Sequence, residues 1–165
     1  MSSVPPKWTP NYKLATQFEA RRLAEMVDQL PAVILDMDNS ELIRQAALEC
    51  FFVHVRPLIE FLGIRPSDPR DRSARDTLTN TSWTPTLDAA LRARLDADWE
   101  MVSQHLVHFS KARVVDETGR VVVPSTDRSS LERIANDVLE VWDQYATASS
   151  ALLVPHRARF GLLFG

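Results

Sequence analysis

Between Ala47 and Leu62 the chain reads Ala-Leu-Glu-Cys-Phe-Phe-Val-His-Val-Arg-Pro-Leu-Ile-Glu-Phe-Leu, polar only at Glu49, His54, Arg56 and Glu60. An apolar run this dense, with its polar residues at helical spacing, predicts the central helix of a bundle. Each polar side chain inside it must reach an edge or find a partner, because an unpaired buried polar group is costly. These four residues are therefore the first candidates for a site, although they do not by themselves name a reaction.

A chain of 165 residues makes one domain with room for a substantial core. Its net charge of -3, from 19 basic and 22 acidic residues, lacks the global basic excess that announces nucleic-acid binding and leaves only a local patch open. The single cysteine, Cys50, excludes an intrachain disulfide, and its place in the apolar run predicts a small buried hydrophobe. Residues 1–10 carry Pro5, Pro6 and Pro10 without the apolar stretch of a signal peptide. The segment Leu48 to Leu62 is too short and too charged to span a bilayer. The expectation is a bacterial-type cytoplasmic protein with no membrane association and no cofactor.

Local signals divide the chain into a flexible N-terminal segment (1–12), a helical bundle (13–150) and a tail (151–165) that docks on the bundle or on a dimer partner. A first helix is predicted over 13–29, with Leu14, Phe18, Leu23 and Met26 as its apolar residues and Pro31 ending or interrupting it. Candidate caps at Asp36 to Ser40 precede a second helix over 40–62, kinked at Pro57 and stopped at Gly63. A long polar connection over 64–84 sets Arg65, Arg70, Arg72 and Arg75 against Asp68, Asp71 and Asp76. Thr84-Pro85 opens further helix to Arg113, with a break expected near Asp96 to Asp98. Val114 to Val123 is the strand-like stretch, a small hairpin or an extended crossover. A last helix over 127–147 carries the stripe Leu131, Ile134, Val138, Val141 and Tyr145. The predicted fold class is all-α: an antiparallel bundle of four to five helices with a long loop and at most a minor hairpin.

Helical geometry sorts the second helix into two stripes. Glu41, Gln45, Glu49, Phe52, Arg56 and Glu60 form a mainly polar one. Ile43, Ala47, Cys50, His54, Leu58 and Phe61 form an apolar one, which points His54 at the core and leaves Glu49, Arg56 and Glu60 at its margin. In the fourth helix, Met101, Val102, His105, Leu106, Phe109 and Ala112 make the apolar arc, with His108 at its border and Arg113 on the opposite shoulder.

Two chemistries suit these residues. His54, His105 and His108 converging from two helices would make a zinc, nickel or iron site of the kind built by DinB-like bundles. The pair here is His-x-x-His where those bundles have His-x-x-x-His, and no acidic ligand accompanies it, so no metal is assigned. Alternatively, histidine moves a proton near neutral pH and arginine clamps a phosphodiester, the parts of a metal-independent ribonuclease. Beside both stands a structural reading, in which His54 is a hydrogen-bonded core residue and the charged stripe is a solvated face.

The segment Ala47-Leu48-Glu49, Phe51, His54, Arg56, Leu58-Ile59-Glu60-Phe61 resembles a helix of small bacterial proteins related to the HEPN superfamily, as does the later Ser103-Gln104-His105-Leu106-Val107-His108-Phe109-Ser110-Lys111-Ala112-Arg113. Ser103-Gln104 stands where that group has Asn-Lys, Lys111 replaces its tyrosine, and Arg113 follows His108 where active toxins place an arginine before the histidine. The resemblance implies a helical bundle, homodimerisation with a cleft at the subunit interface, and a recurring His/Arg cluster, without implying catalysis. Many such proteins act in toxin–antitoxin or phage-defence systems. On the enzymatic reading His54, Arg56, His108 and Arg113 are catalytic, Glu49, Arg70, Arg72 and Arg75 bind substrate, and the partner is RNA. On the competing reading the chain is a non-enzymatic interaction module for a cognate protein, and the same cluster fixes helix packing.

Overall fold

A computed structural model describes residues 11–65, 68, 71–107 and 127–160, the side chains of 105–107 apart. Every regular element among them is helical. Helix α1 spans Tyr12–Leu35 and α2 spans Glu41–Phe61. Helix α3 is one turn at Ala74–Thr77, α4 spans Ala89–Val107, and α5 spans Arg128–Ser149. A 3-10 turn follows at Arg157–Arg159.

Side-chain caps set most of the helix starts. The Asn11, Ser40, Asp88 and Asp127 side chains accept the backbone N–H three residues on, opening α1, α2, α4 and α5. Helix α2 ends at Gly63 in a Schellman turn: the Gly63 N–H donates to the Glu60 carbonyl at 3.0 Å and the Ile64 N–H to Ile59 at 3.2 Å. The turn needs φ +75° at Gly63, a conformation in which any Cβ is strained.

Three boundaries differ from the sequence expectation. Helix α1 continues through Pro31 to Leu35, because Leu30, Pro31 and Ile34 are all buried and their packing offsets the hydrogen bond that proline removes. Helix α4 begins at Ala89, not Pro85, because the Thr86 N–H and carbonyl are both held by the Gln144 side-chain amide, at 2.8 and 3.0 Å. Nor does α4 break at Asp96 to Asp98; Asp98 is buried and paired across to α5. The strand-like stretch Val114 to Val123 lies outside the described residues.

The four long helices close a ring, α1 against α2, α2 against α4, α4 against α5, and α5 back against α1. The five-residue connection folds α2 back on α1. On the other side, Arg94 meets Asp137 while Arg133 meets Asp98, a pairing whose numbers rise on α4 as they fall on α5, so these two helices are also antiparallel. The expected stripe of α5, Leu131, Ile134, Val138, Val141 and Tyr145, is completely buried. Tyr145 is the hub of an aromatic cluster, its ring centroid 5.3 Å from those of Phe61 and Trp142 and 5.9 Å from that of Trp83. The Thr77 hydroxyl spends its proton on the Ala74 carbonyl, so Tyr145 donates to Thr77, at 2.6 Å. Burial pushes the Tyr145 phenol above its ordinary range, which keeps it a neutral donor. Residues 151–160 lie along α5: Val154 is buried, the Trp142 indole N–H donates to the Pro155 carbonyl at 2.9 Å, and Phe160 packs on the Trp142 ring.

Two face assignments need correction. The buried line of α1 is Gln17, Ala20, Arg21, Ala24, Val27 and Leu30, whereas Leu14 and Phe18 are exposed. On α2 the buried arc centres on Phe51 and Val55 and takes in Phe52; Cys50 is exposed and His54 half-exposed, neither of them in the core.

The α5 cap also responds to pH. The Ser129 hydroxyl at 2.6 Å, with the Ser130 N–H, holds the Asp127 carboxyl below its usual range. A carboxylate with a depressed folded pKa stabilises above its unfolded value, near 3.9, and loses that contribution as pH falls through the folded one. Asp127→Ala is therefore expected to lower Tm at pH 7 and to show a smaller deficit at pH 3, below the unfolded value. Thermal melts of the two proteins at both pH values check it, and an equal deficit at both would sink the idea.

Candidate functional site

The polar residues of α2 converge on Trp99 of α4. Glu60 Oε1 accepts from Arg56 Nε, one turn back, at 3.1 Å and from the Trp99 indole N–H at 2.9 Å. Arg65, just beyond the Gly63 turn, holds its guanidinium carbon 4.9 Å from the Trp99 ring centroid, and Arg56 holds its own at 5.3 Å. Arg65 is tied in turn to Glu100 at 2.6 Å and to Asp96 at 3.0 Å. Both arginines thus share one indole, and both are matched by carboxylates.

Glu60 also lines a groove of about 470 Å³ between α1, α2 and residues 71–72. Leu23, Pro57 and Phe61 give it an apolar floor, and Glu19, Asp71 and Arg72 stand at its edge. Arg72 lies over the Tyr12 ring, 5.0 Å from its centroid.

The expected site residues are only partly brought together. Arg56 joins Glu60 and Trp99. His54, two positions earlier, points to another side of α2 and turns its Nδ1 back to the Cys50 carbonyl on its own helix. Glu49 is exposed, accepting from Gln45 at 3.3 Å, and pairs with no arginine among the described residues. Arg72 borders the groove, while Arg75 is exposed on α3. His108, Arg113 and Arg70, and the side chain of His105, lie outside the described residues. Among the described residues no group of three His, Cys, Asp or Glu side chains is placed to hold a metal ion, and no helix is long and apolar enough to cross a membrane.

Sequence reasoning passed over a second network, between α4 and α5. Arg94 grips Asp137 with two hydrogen bonds, at 2.7 and 2.9 Å, and Arg133 grips Asp98 with two at 2.8 Å. A further bond at 3.2 Å from Arg133 to Asp137 links the two rungs. Both carboxylates are buried, and their hydrogen bonds keep the two guanidinium groups firmly charged. The signal was present in the repeated Arg-to-Asp spacing of four, at Arg94 to Asp98 and Arg133 to Asp137.

The chemistry of this arrangement is cohesive. Arg56 and Arg65 are each already paired with carboxylates, which reduces the net positive charge they offer a phosphate. Comparison with known proteins returned nothing: no family model matches the chain, and neither does any curated protein or solved structure.

Proposed function

We propose that the chain is a non-enzymatic helical interaction module that pairs with a second copy of itself through the outer face of α2. The observation that carries this reading is an apolar line on the solvent side of that helix. Leu42 is 80% exposed and Val53 51% exposed, with the small residues Ala46 and Cys50 exposed between them. An unpartnered apolar strip of this kind marks an interaction surface. It is self-complementary when two copies of α2 run antiparallel. Leu42 then meets the partner's Val53, Gln45 meets the partner's Cys50, and Glu41 lies beside the partner's His54. Small residues at the centre allow close approach, and the acid–imidazole pair favours this register. The Arg56–Glu60–Trp99 cluster acts behind this face as the brace between α2 and α4.

The resemblance to HEPN-like proteins, which commonly dimerise, supports the same reading. The ribonuclease reading depends on His108 and Arg113. One preparation tests both. Wild type is expected to sediment as a dimer at about tens of micromolar and Leu42→Glu as a monomer of unchanged helical content, with its Tm lowered only by the lost association. RNA incubated with wild type in EDTA is expected to stay intact. A monomeric wild type would overturn the pairing; cleavage that disappears in His108→Ala would overturn the non-enzymatic reading.

A further inference from the structure

A second groove, about 520 Å³ in volume, lies at the other end of the chain, between the last turn of α5 and residues 150–159. Ala146, Ala151, Val154 and Pro155 line its floor, and Leu152, 79% exposed, stands free as a wall. Thr147, Ser150, His156 and Arg159 form its polar rim. Its size falls in the range of small-molecule sites, roughly 300–1,000 Å³, and an apolar floor with a few polar groups is their usual lining.

The rim carries an uncommitted charge. Arg157 is occupied, with its Nε 3.1 Å from Asp143 and Nη1 donating to Asn136 at 3.1 Å. The Arg159 guanidinium, two residues on, has no hydrogen-bond or ion-pair partner among the described residues; only its backbone N–H is engaged, by the His156 carbonyl at 2.8 Å. Two further donors are loosely held. The Thr147 hydroxyl gives its proton to the Asp143 carbonyl at 2.9 Å and lies 3.4 Å from His156 Nε2, while His156 Nδ1 stands 3.5 Å from the Asp143 carboxylate. The Ser150 hydroxyl reaches the Thr147 carbonyl at the same long distance, 3.4 Å. Hydrogen bonds to oxygen at that length are weak and easily exchanged for better ones.

We propose that this groove binds a small organic monoacid as its carboxylate. One free guanidinium matches one negative charge, in the two-pronged geometry that arginine forms with carboxylates. The carbonyl end of α5 disfavours an anion beside Thr147, which sets the orientation. The carboxylate lies at the Arg159 side of the rim, and the apolar body lies on the floor against Leu152.

Octanoate is the probe, titrated into the full chain and followed by calorimetry and by amide chemical shifts. Saturable one-to-one binding is expected, with shifts concentrated over residues 146–159. Octanol and inorganic phosphate, which each carry half of the recognition, are expected to bind at least tenfold more weakly. Arg159→Gln, at an exposed and unpartnered position, is expected to weaken octanoate at least tenfold without changing Tm. Leu152→Ser is expected to weaken it several-fold through the apolar body alone. Octanol binding as tightly as octanoate, affinity unchanged in Arg159→Gln, or shifts centred on α2 would each overturn the proposal.

Discussion

Trp142→Ala is expected to be the most damaging single substitution in the described structure. The indole is fully buried, packs 5.3 Å from the Tyr145 ring and 6.3 Å from the Phe160 ring, and donates to the Pro155 carbonyl at 2.9 Å. Truncation to alanine leaves a cavity and an unanswered carbonyl, a combined loss of about 3–5 kcal/mol. For a chain of this size that lowers Tm by about 10–15 °C. A second effect is local. Residues 154–160 are held to α5 by this side chain together with the bonds of Arg157 to Asp143 and Asn136, so losing the indole should let trypsin cut at Arg157 and Arg159 sooner than in wild type. Trp142→Phe keeps most of the volume and loses the N–H, and should fall between the two. A melting point for the alanine variant within 2 °C of wild type would refute this account of the core.

Arg133→Ala tests the network between α4 and α5. Removing the guanidinium leaves Asp98, whose side chain is 6% exposed, as a buried carboxylate without its two hydrogen bonds. Breaking one side of a fully buried pair costs ~3–5 kcal/mol. Arg133 itself is 38% exposed and water reaches the rung from its side, so a loss of about 2–3 kcal/mol is expected here. The double variant Asp98→Leu with Arg133→Leu should lose less than Arg133→Ala, because two apolar side chains leave nothing charged behind. Denaturant unfolding of the three proteins measures this. If Arg133→Ala lies within 0.5 kcal/mol of wild type, the rung behaves as an ordinary surface pair.

Helix existence and most boundaries were legible in the sequence because capping chemistry is local. Ser40, Gly63 and Asp127 each act on backbone groups within three or four residues, and each stands where expected. What surrounds a helix is not local. The apolar surface of α2 runs most of the way round, through Leu42, Cys50 and Val53, so periodicity alone put His54 and Cys50 inward when the arc centred on Phe51 and Val55. In α1 the buried line runs through Ala20 and Ala24, which a search for large apolar residues passes over. The start of α4 depended on Gln144, far along the chain, reaching Thr86. For the site, Arg56 and Glu60 at the margin of α2 were foreseeable, whereas their partner Trp99 required knowing that α4 lies against that margin.

The crossed pairing of Arg94 with Asp137 and Arg133 with Asp98 also governs how α4 and α5 can slide. A slip of one helical turn, about 5.4 Å, moves each contact by about four residues. In one direction it would bring Asp98 opposite Asp137; in the other, Arg94 opposite Arg133. Either displacement exchanges two attractive rungs for a repulsive one at a partly buried position, where like charges are most costly. The two rungs therefore work as a keyed alignment, which lets a pair of helices with largely interchangeable apolar contacts find a single longitudinal setting during folding.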